Sequence, residues 1–150
     1  RYLAAGPAGR RALLAAIDSM PLPSRAAATA WTKPRDLDSI EWFASAEDVC
    51  RVYGSLLRLA HRPGLSPLAG ALSLNDGGLG LNHAQWKATW FKGGSEPGGL
   101  TLAYLATTRS GHTYVVAVLA ENPSAPIDEA AAGPVLISAI KSAFTLAARG

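Results

Sequence analysis

The chain has 150 residues, 49% of them hydrophobic and 17% charged, a composition typical of a folded domain and not of a disordered segment. Its net charge is +3 and its basic residues are scattered, so no nucleic-acid partner is indicated. A single cysteine, Cys50, excludes an internal disulfide, and the isolated His61, His83 and His112 lack metal-ligand spacing, so neither a metal nor another cofactor is expected.

Helices and a long loop are predicted for the first half of the chain. Pro7 suits the first position of a helix within residues 1–20, and apolar residues follow it at helical spacing. Residues 21–44 show no period and hold several prolines, which favours a loop. Loops of this length in a domain usually serve a function.

A second helix is predicted over residues 45–62. Ser45 and Asp48 form a start signal related to the capping box, and an apolar face continues from there. A shorter helix is predicted over residues 65–72, before a turn that is rich in glycine.

Strands dominate the third quarter. Residues 88–120 are predicted to form a three-stranded meander, with strands at 88–92, 100–108 and 113–119. A long helix is predicted over 127–148. The chain has no apolar run of membrane-spanning length, so no membrane span is expected. These elements predict an α/β (α+β) fold, in which a C-terminal helix packs on a three-stranded antiparallel sheet.

The segment Lys92-Gly93-Gly94-Ser95 has the chemistry of an anion site. Glycines let a ligand approach the backbone, lysine supplies a positive charge, and serine supplies a hydroxyl and an N–H. The competing interpretation is that Lys92 only extends from a strand end and that Gly93-Gly94 is a turn.

This segment resembles the Lys-Thr-Gly-Ser/Thr motif of serine β-lactamases and penicillin-binding proteins. In that family the motif lies on a sheet strand, and two antiparallel strands and a long C-terminal helix follow it. The same order is predicted here. The resemblance implies that residues 1–150 are the C-terminal part of one β-lactamase-like domain, with residues 21–44 in the position of the Ω-loop.

The resemblance also implies roles for individual residues. Lys92 and Ser95 would be catalytic, Lys92 by binding the substrate carboxylate and tuning proton transfer. The Ser95 hydroxyl would bind the same carboxylate, and the Ser95 N–H would be one of two oxyanion-hole donors. Gly93 and Gly94 would complete the substrate-binding segment, with Glu96 at the mouth of the site.

Two departures from the family concern the nucleophile and the motif. Gly93 stands where the family has threonine, and no Ser-x-x-Lys precedes the motif. Ser138 to Lys141 spells Ser-x-x-Lys but lies in the predicted last helix, and Ser73 to Asn75 spells Ser-x-Asn in a turn. The true nucleophile is therefore expected upstream of this chain.

The Ω-loop position lacks the Glu-x-x-x-Asn element of class A β-lactamases. Glu41 is the one glutamate of residues 21–44, and Asp36 and Asp38 fit solvated or locally capping loop residues better than a catalytic acid. This favours a slow deacylator, a D,D-peptidase-like enzyme or an esterase.

The first hypothesis is an acyl-serine hydrolase of β-lactam, peptidoglycan-peptide or ester substrates, inactive as this chain alone. The resemblance implies an extracytoplasmic location. The alternative is a non-catalytic binding or structural module with the β-lactamase fold. A third is a small peptidoglycan- or partner-binding domain of unrelated ancestry. In each case a missing N-terminal segment or a second chain is expected to pack on the sheet.

Overall fold

The computed structural model describes residues 1–22, 24–25, 31–39 and 43–149. Their elements, in chain order, are α1 (Pro7–Asp18), α2 (Ala46–Ala60), α3 (Pro67–Leu72), β1 (Trp86–Glu96), β2 (Gly99–Thr108), β3 (Thr113–Glu121) and α4 (Glu129–Ala147). The three strands form an antiparallel sheet in the order β1-β2-β3. The fold is therefore α+β with a C-terminal helix, as the sequence predicts.

Side-chain caps begin the two longest helices. The Asp48 N–H donates to the Ser45 hydroxyl at 3.1 Å, and the Ser45 N–H donates back to the Asp48 carboxylate at 3.0 Å. The Ser45 hydroxyl and the Ser45 N–H both donate to this carboxylate. The two hydrogen bonds hold the pKa of Asp48 below its usual value, and the bond from the hydroxyl has the larger effect. Asp128 caps α4 by accepting from the Ala131 N–H at 3.2 Å. The predicted start signal at Ser45 and Asp48 is confirmed.

The sheet lies between α2 and α4. On the face that contacts α2, here termed the α2 face, Tyr53 packs against Trp90, Ala103 and Leu105. Cys50 lies half-buried at this interface with its Sγ 4.0 Å from the Val115 carbonyl oxygen. That placement matches the small hydrophobe expected of a lone cysteine.

The opposite face, here termed the α4 face, holds the larger core. Ile140 and Phe144 of α4 are buried there against the aromatic and aliphatic side chains Trp86, Leu102 and Tyr104. By length and composition α4 could also cross a membrane, since its mean hydropathy is 1.5. In this fold its inward stripe packs on the sheet, and the expectation that the chain has no membrane span stays a prediction.

A large part of the chain's apolar surface is exposed. The accessible area is 10242 Å², whereas a compact monomer of 15.5 kDa exposes roughly 7,200 Å². None of the residues of α1 is buried, and Leu14 and Ile17 of α1 and Val135 and Leu146 of α4 are each more than half exposed. Surfaces of this kind are usually covered by further protein.

Candidate functional site

The Lys92–Ser95 segment lies inside β1 and on the edge of the sheet. The sequence predicts a strand over residues 88–92, and its end at Lys92 is wrong, because β1 continues to Glu96. The strand continues because Gly93 and Gly94 pair with Leu102 and Thr101 of β2. The turn comes later, at Pro97-Gly98, where Gly98 has a φ of 91°.

Hydrogen bonds at the two ends of β2 determine which way its backbone groups point. The Asn122 N–H donates to the Gly98 carbonyl at 2.7 Å, and the Thr108 N–H donates to the His112 carbonyl at 2.8 Å. Both bonds connect even-numbered residues with the β3 side of the sheet. Backbone direction alternates along a strand, so the odd-numbered residues of β2 bond to β1.

The same alternation gives the direction of the backbone at Ser95. Ser95 and Gly93 pair with the even-numbered Leu100 and Leu102, whose N–H and C=O groups face β3. The N–H and C=O groups of Ser95 and Gly93 therefore point away from β2, toward the outer edge of β1. In the described part of the chain, no strand pairs with that edge.

The Lys92 ammonium lies at this same outer edge. It donates a hydrogen bond to the Gly93 carbonyl oxygen, which points outward by the register just described. Ser95 lies two positions after Gly93, so their Cα atoms are about 7 Å apart along the strand. An ammonium and a free N–H on one edge can bind two different parts of one ligand, an anionic group and a polarised carbonyl.

The side chains of Lys92 and Ser95 lie on opposite faces, because successive side chains of a strand alternate. Lys92 shares the α2 face with Trp90, whereas the Ser95 hydroxyl is directed to the α4 face. Ser95 thus contributes its backbone N–H, and not its hydroxyl, to the edge where the Lys92 ammonium lies. The contact expected between the Ser95 hydroxyl and a substrate carboxylate stays a prediction.

A cleft of about 490 Å³ lies on the α2 face at the hairpin end of the sheet. Its polar lining includes Ser95, Glu96 and Glu121, and Phe43 and Leu37 supply apolar walls. Glu96 therefore lines the cleft next to the motif, and its place at the mouth of a substrate site stays a prediction.

The described part of the Ω-loop-like segment packs on the β1–β2 turn. A Cβ added to Gly98 would lie 2.7 Å from Pro34 Cγ and 2.8 Å from Leu37 Cδ1, and Leu37 is buried. Glycine is thus required at this turn for both its φ and its close packing. Glu41 lies outside the described residues, and Asp36 has a φ of 52°, which fits a local turn.

Phe91 explains why position 93 holds a glycine. A Cβ on Gly93 would lie 2.7 Å from Phe91 Cζ, closer than non-bonded carbons approach. The Phe91 ring is itself wedged, since a Cβ on Gly77 would lie 2.6 Å from the same atom and the Tyr104 ring centroid is 4.8 Å away. The ring occupies the space of the missing side chain.

Tyr53 supports the α2 face beneath Lys92. Its hydroxyl donates to the Ala103 carbonyl at 2.9 Å, and it is buried. Burial, only partly offset by a hydrogen bond from the Lys92 backbone, raises the pKa of Tyr53 to about 12. Tyr53 therefore stays protonated at neutral pH, with its ring presented as an apolar surface.

The other candidate residues lie elsewhere, on the exposed side of α4, in a turn and at the surface. Ser138 and Lys141 are exposed on α4, away from its buried stripe. Asn75 accepts from the Gly77 N–H at 3.0 Å and so forms the predicted turn. His61, His83 and His112 are exposed, and the described residues contain no group of three or more metal-ligating side chains.

Two residues that shape the site, Tyr53 and Phe91, do not stand out in the sequence. Each is one apolar residue among several in its element, and its importance depends on contacts with residues distant in the chain. Gly93 was a possible signal for Phe91, because a glycine inside a strand often marks a place of close packing. Gly77, in the preceding turn, accommodates the same ring.

No known protein-family model matches this chain. No curated protein matches it either. Support for a function therefore comes from the residues and the geometry of the site.

Proposed function

We propose that the full-length protein is an acyl-serine hydrolase of the β-lactamase-like class. In this proposal the present chain supplies the wall of the site that binds the substrate carboxylate and the developing oxyanion. The nucleophilic Ser-x-x-Lys pair would lie upstream, and the outer edge of β1 would face it.

The observation that carries the proposal is the pair of donors on the outer edge of β1. The Ser95 N–H points outward, and the Lys92 ammonium lies about two residues along the same edge. An oxyanion donor must be free to meet a substrate, and an edge strand leaves every second N–H free. The substrate would lie along this edge as an added strand does.

Each donor would act at a different stage of acyl transfer. Lys92 would hold the carboxylate of the bound substrate, which positions the reacting carbonyl beside Ser95. When the upstream serine attacks, negative charge would develop on that carbonyl oxygen and the Ser95 N–H would stabilise it. Loss of one such donor typically slows acylation by about a hundred- to a thousandfold.

Two pairs of variants of the full-length protein test these roles. Lys92→Ala should lower the second-order acylation rate by at least a hundredfold, whereas Lys87→Ala, on the same strand, should change it less than twofold. Ser95→Ala keeps the N–H, and Ser95→Pro removes it. Proline is tolerated there because this N–H makes no ladder bond.

Ser95→Pro should therefore acylate at least tenfold more slowly than Ser95→Ala, while both keep their thermal unfolding midpoint within a few degrees of the parent. Acylation is measured with a fluorescent penicillin and a chromogenic ester. Equal effects of Lys92→Ala and Lys87→Ala, or an unimpaired Ser95→Pro enzyme, would reject the hydrolase proposal.

A second candidate, a non-catalytic module of the same fold, is favoured by one specific observation. The Lys92 ammonium bonds to the Gly93 carbonyl of its own strand, and Gly93 carries no hydroxyl to help hold a substrate. Such a module would bind carboxylate ligands through Lys92 and yet form no covalent adduct. Intact-mass analysis after incubation with the penicillin separates the two candidates.

A further inference from the structure

A small apolar pocket opens on the α2 face directly beside Lys92. Its volume is about 240 Å³, and it lies between the N-terminal half of α2 and the sheet. The side chains that face it come from α2 and from the residues of β2 and β3 directed to the α2 face: Val49, Tyr53, Ala103, Ala117 and Leu119. Among the described residues of this lining, Lys92 is the one that carries a charge.

The polar atoms beneath the pocket are already paired. The Tyr53 hydroxyl donates to the Ala103 carbonyl at 2.9 Å. The backbone of Ala103 also faces the backbone of Lys92, its partner in β1. The pocket therefore offers a ligand an aromatic ring, methyl groups and aliphatic carbons. Water in such a space has few partners, so an apolar group would displace it readily.

Gly94 links this pocket to the larger cleft. It lines both cavities, as do Thr101 and Leu119, and it lies on the same face as Lys92. A Cβ at Gly94 would lie 3.3 Å from the hydroxyl of Thr101, which also lines both cavities. Because Gly94 has no side chain, it adds no bulk where the two cavities adjoin, which is the arrangement that a ligand occupying both would need.

We infer that the site takes carboxylates that carry an apolar arm, with the carboxylate at Lys92 and the arm in the pocket formed by Val49, Tyr53 and Ala117. The inference rests on the proposed function, since it names the substrate class of the same site. We infer a carboxylate because Lys92 lies at the rim of the pocket, and we infer an apolar arm because the pocket is lined mostly by apolar side chains. Together the two cavities have the size of ordinary small-molecule sites, about 300–1,000 Å³.

A series of straight-chain carboxylates from acetate to decanoate tests this class on the full-length protein. Binding is measured by NMR titration. Affinity should rise about fourfold for each methylene that the pocket buries and then level off when the pocket is full. Ala117→Leu adds three carbons to the pocket lining, so the levelling should come about three carbons earlier, with acetate binding unchanged.

Two further variants keep the test decisive. Val49→Ala enlarges the pocket and should move the levelling to longer chains. Ala139→Leu makes the same change as Ala117→Leu on the exposed face of α4 and should leave the series unaltered. Lys92→Ala should weaken every carboxylate by a similar factor and preserve the gain per methylene.

The outcomes distinguish this inference from the proposed function. If Lys92→Ala abolishes acylation but affinity does not depend on chain length, the hydrolase stands and the apolar arm is rejected. The arm is also rejected if Ala117→Leu and Ala139→Leu behave alike. If affinity depends on chain length but Lys92→Ala and Lys87→Ala acylate equally, the pocket stands and the hydrolase is rejected.

Discussion

Substituting threonine for Gly93 should destabilise this protein. The Cβ of Gly93→Thr would start 2.7 Å from Phe91 Cζ and 3.3 Å from Phe91 Cε2. The ring has little room to move, because Gly77 also packs closely on its Cζ end and the Tyr104 ring centroid lies 4.8 Å from its own. Overpacking of this kind typically costs about 1–3 kcal/mol, and the better strand propensity of threonine returns less than about 1 kcal/mol.

We therefore expect Gly93→Thr to lower the free energy of unfolding by about 1–2 kcal/mol. The matched control is Gly94→Thr, whose Cβ would meet only the Thr101 hydroxyl, at 3.3 Å. That flexible contact can adjust, so the control should stay within about 0.5 kcal/mol of the parent. Urea unfolding, followed by tryptophan fluorescence, gives both values.

A double-mutant cycle identifies Phe91 as the cause. Phe91→Ala alone should cost about 2–3 kcal/mol, less than a fully buried phenylalanine because this ring is partly exposed. In Phe91→Ala/Gly93→Thr, the threonine occupies space that the ring has left. The double variant should then be at least about 1 kcal/mol more stable than the sum of the single effects. Additive effects, or a harmless Gly93→Thr, would refute the wedged-ring explanation.

Three further results are expected. Tyr53→Phe removes the hydrogen bond to the Ala103 carbonyl and should cost about 1 kcal/mol in urea unfolding, because that acceptor keeps its strand partner. Asp76 accepts from the Gly80 and Gly78 N–H groups, which lower its pKa. The stability advantage of the parent over Asp76→Ala should therefore be complete above roughly pH 5 and disappear as the pH falls through that lowered value; a pH-independent difference would contradict this origin. The 150-residue chain expressed alone should self-associate in sedimentation experiments, because its apolar surface is uncovered; a monodisperse monomer would argue against a missing partner.

The parts of the fold that could be predicted are those specified by local sequence. The Ser45–Asp48 box begins α2 where the pattern predicts, because a cap needs only residues three apart. The β2–β3 hairpin and α4 were predictable in the same way, from alternation, turn residues and helical spacing. Each of these signals operates within about one turn of helix or one hairpin.

The extent and position of β1 required information from distant parts of the chain. Gly93 and Gly94 suggest that the strand ends before them, because glycine has a low propensity for strands. Here the Phe91 ring fills the space above Gly93 and makes the glycine necessary. The edge position depends on which strands exist to pair with β1, and nothing within a short window of sequence contains that information.

The direction of the Ser95 N–H depends on the length of one turn. Pro97 and Gly98 form a two-residue connection, so Glu96 pairs with Gly99 and every later pair follows. The residues on either side of a two-residue turn form a hydrogen-bonded pair, so the N–H and C=O of Glu96 face β2 and those of Ser95 face the outer edge of β1. Pro97-Gly98 was visible in the sequence as a turn, so this parity could have been derived from it. The feature that makes the Lys92–Ser95 edge a candidate site is therefore encoded beside the motif, in the turn that follows it.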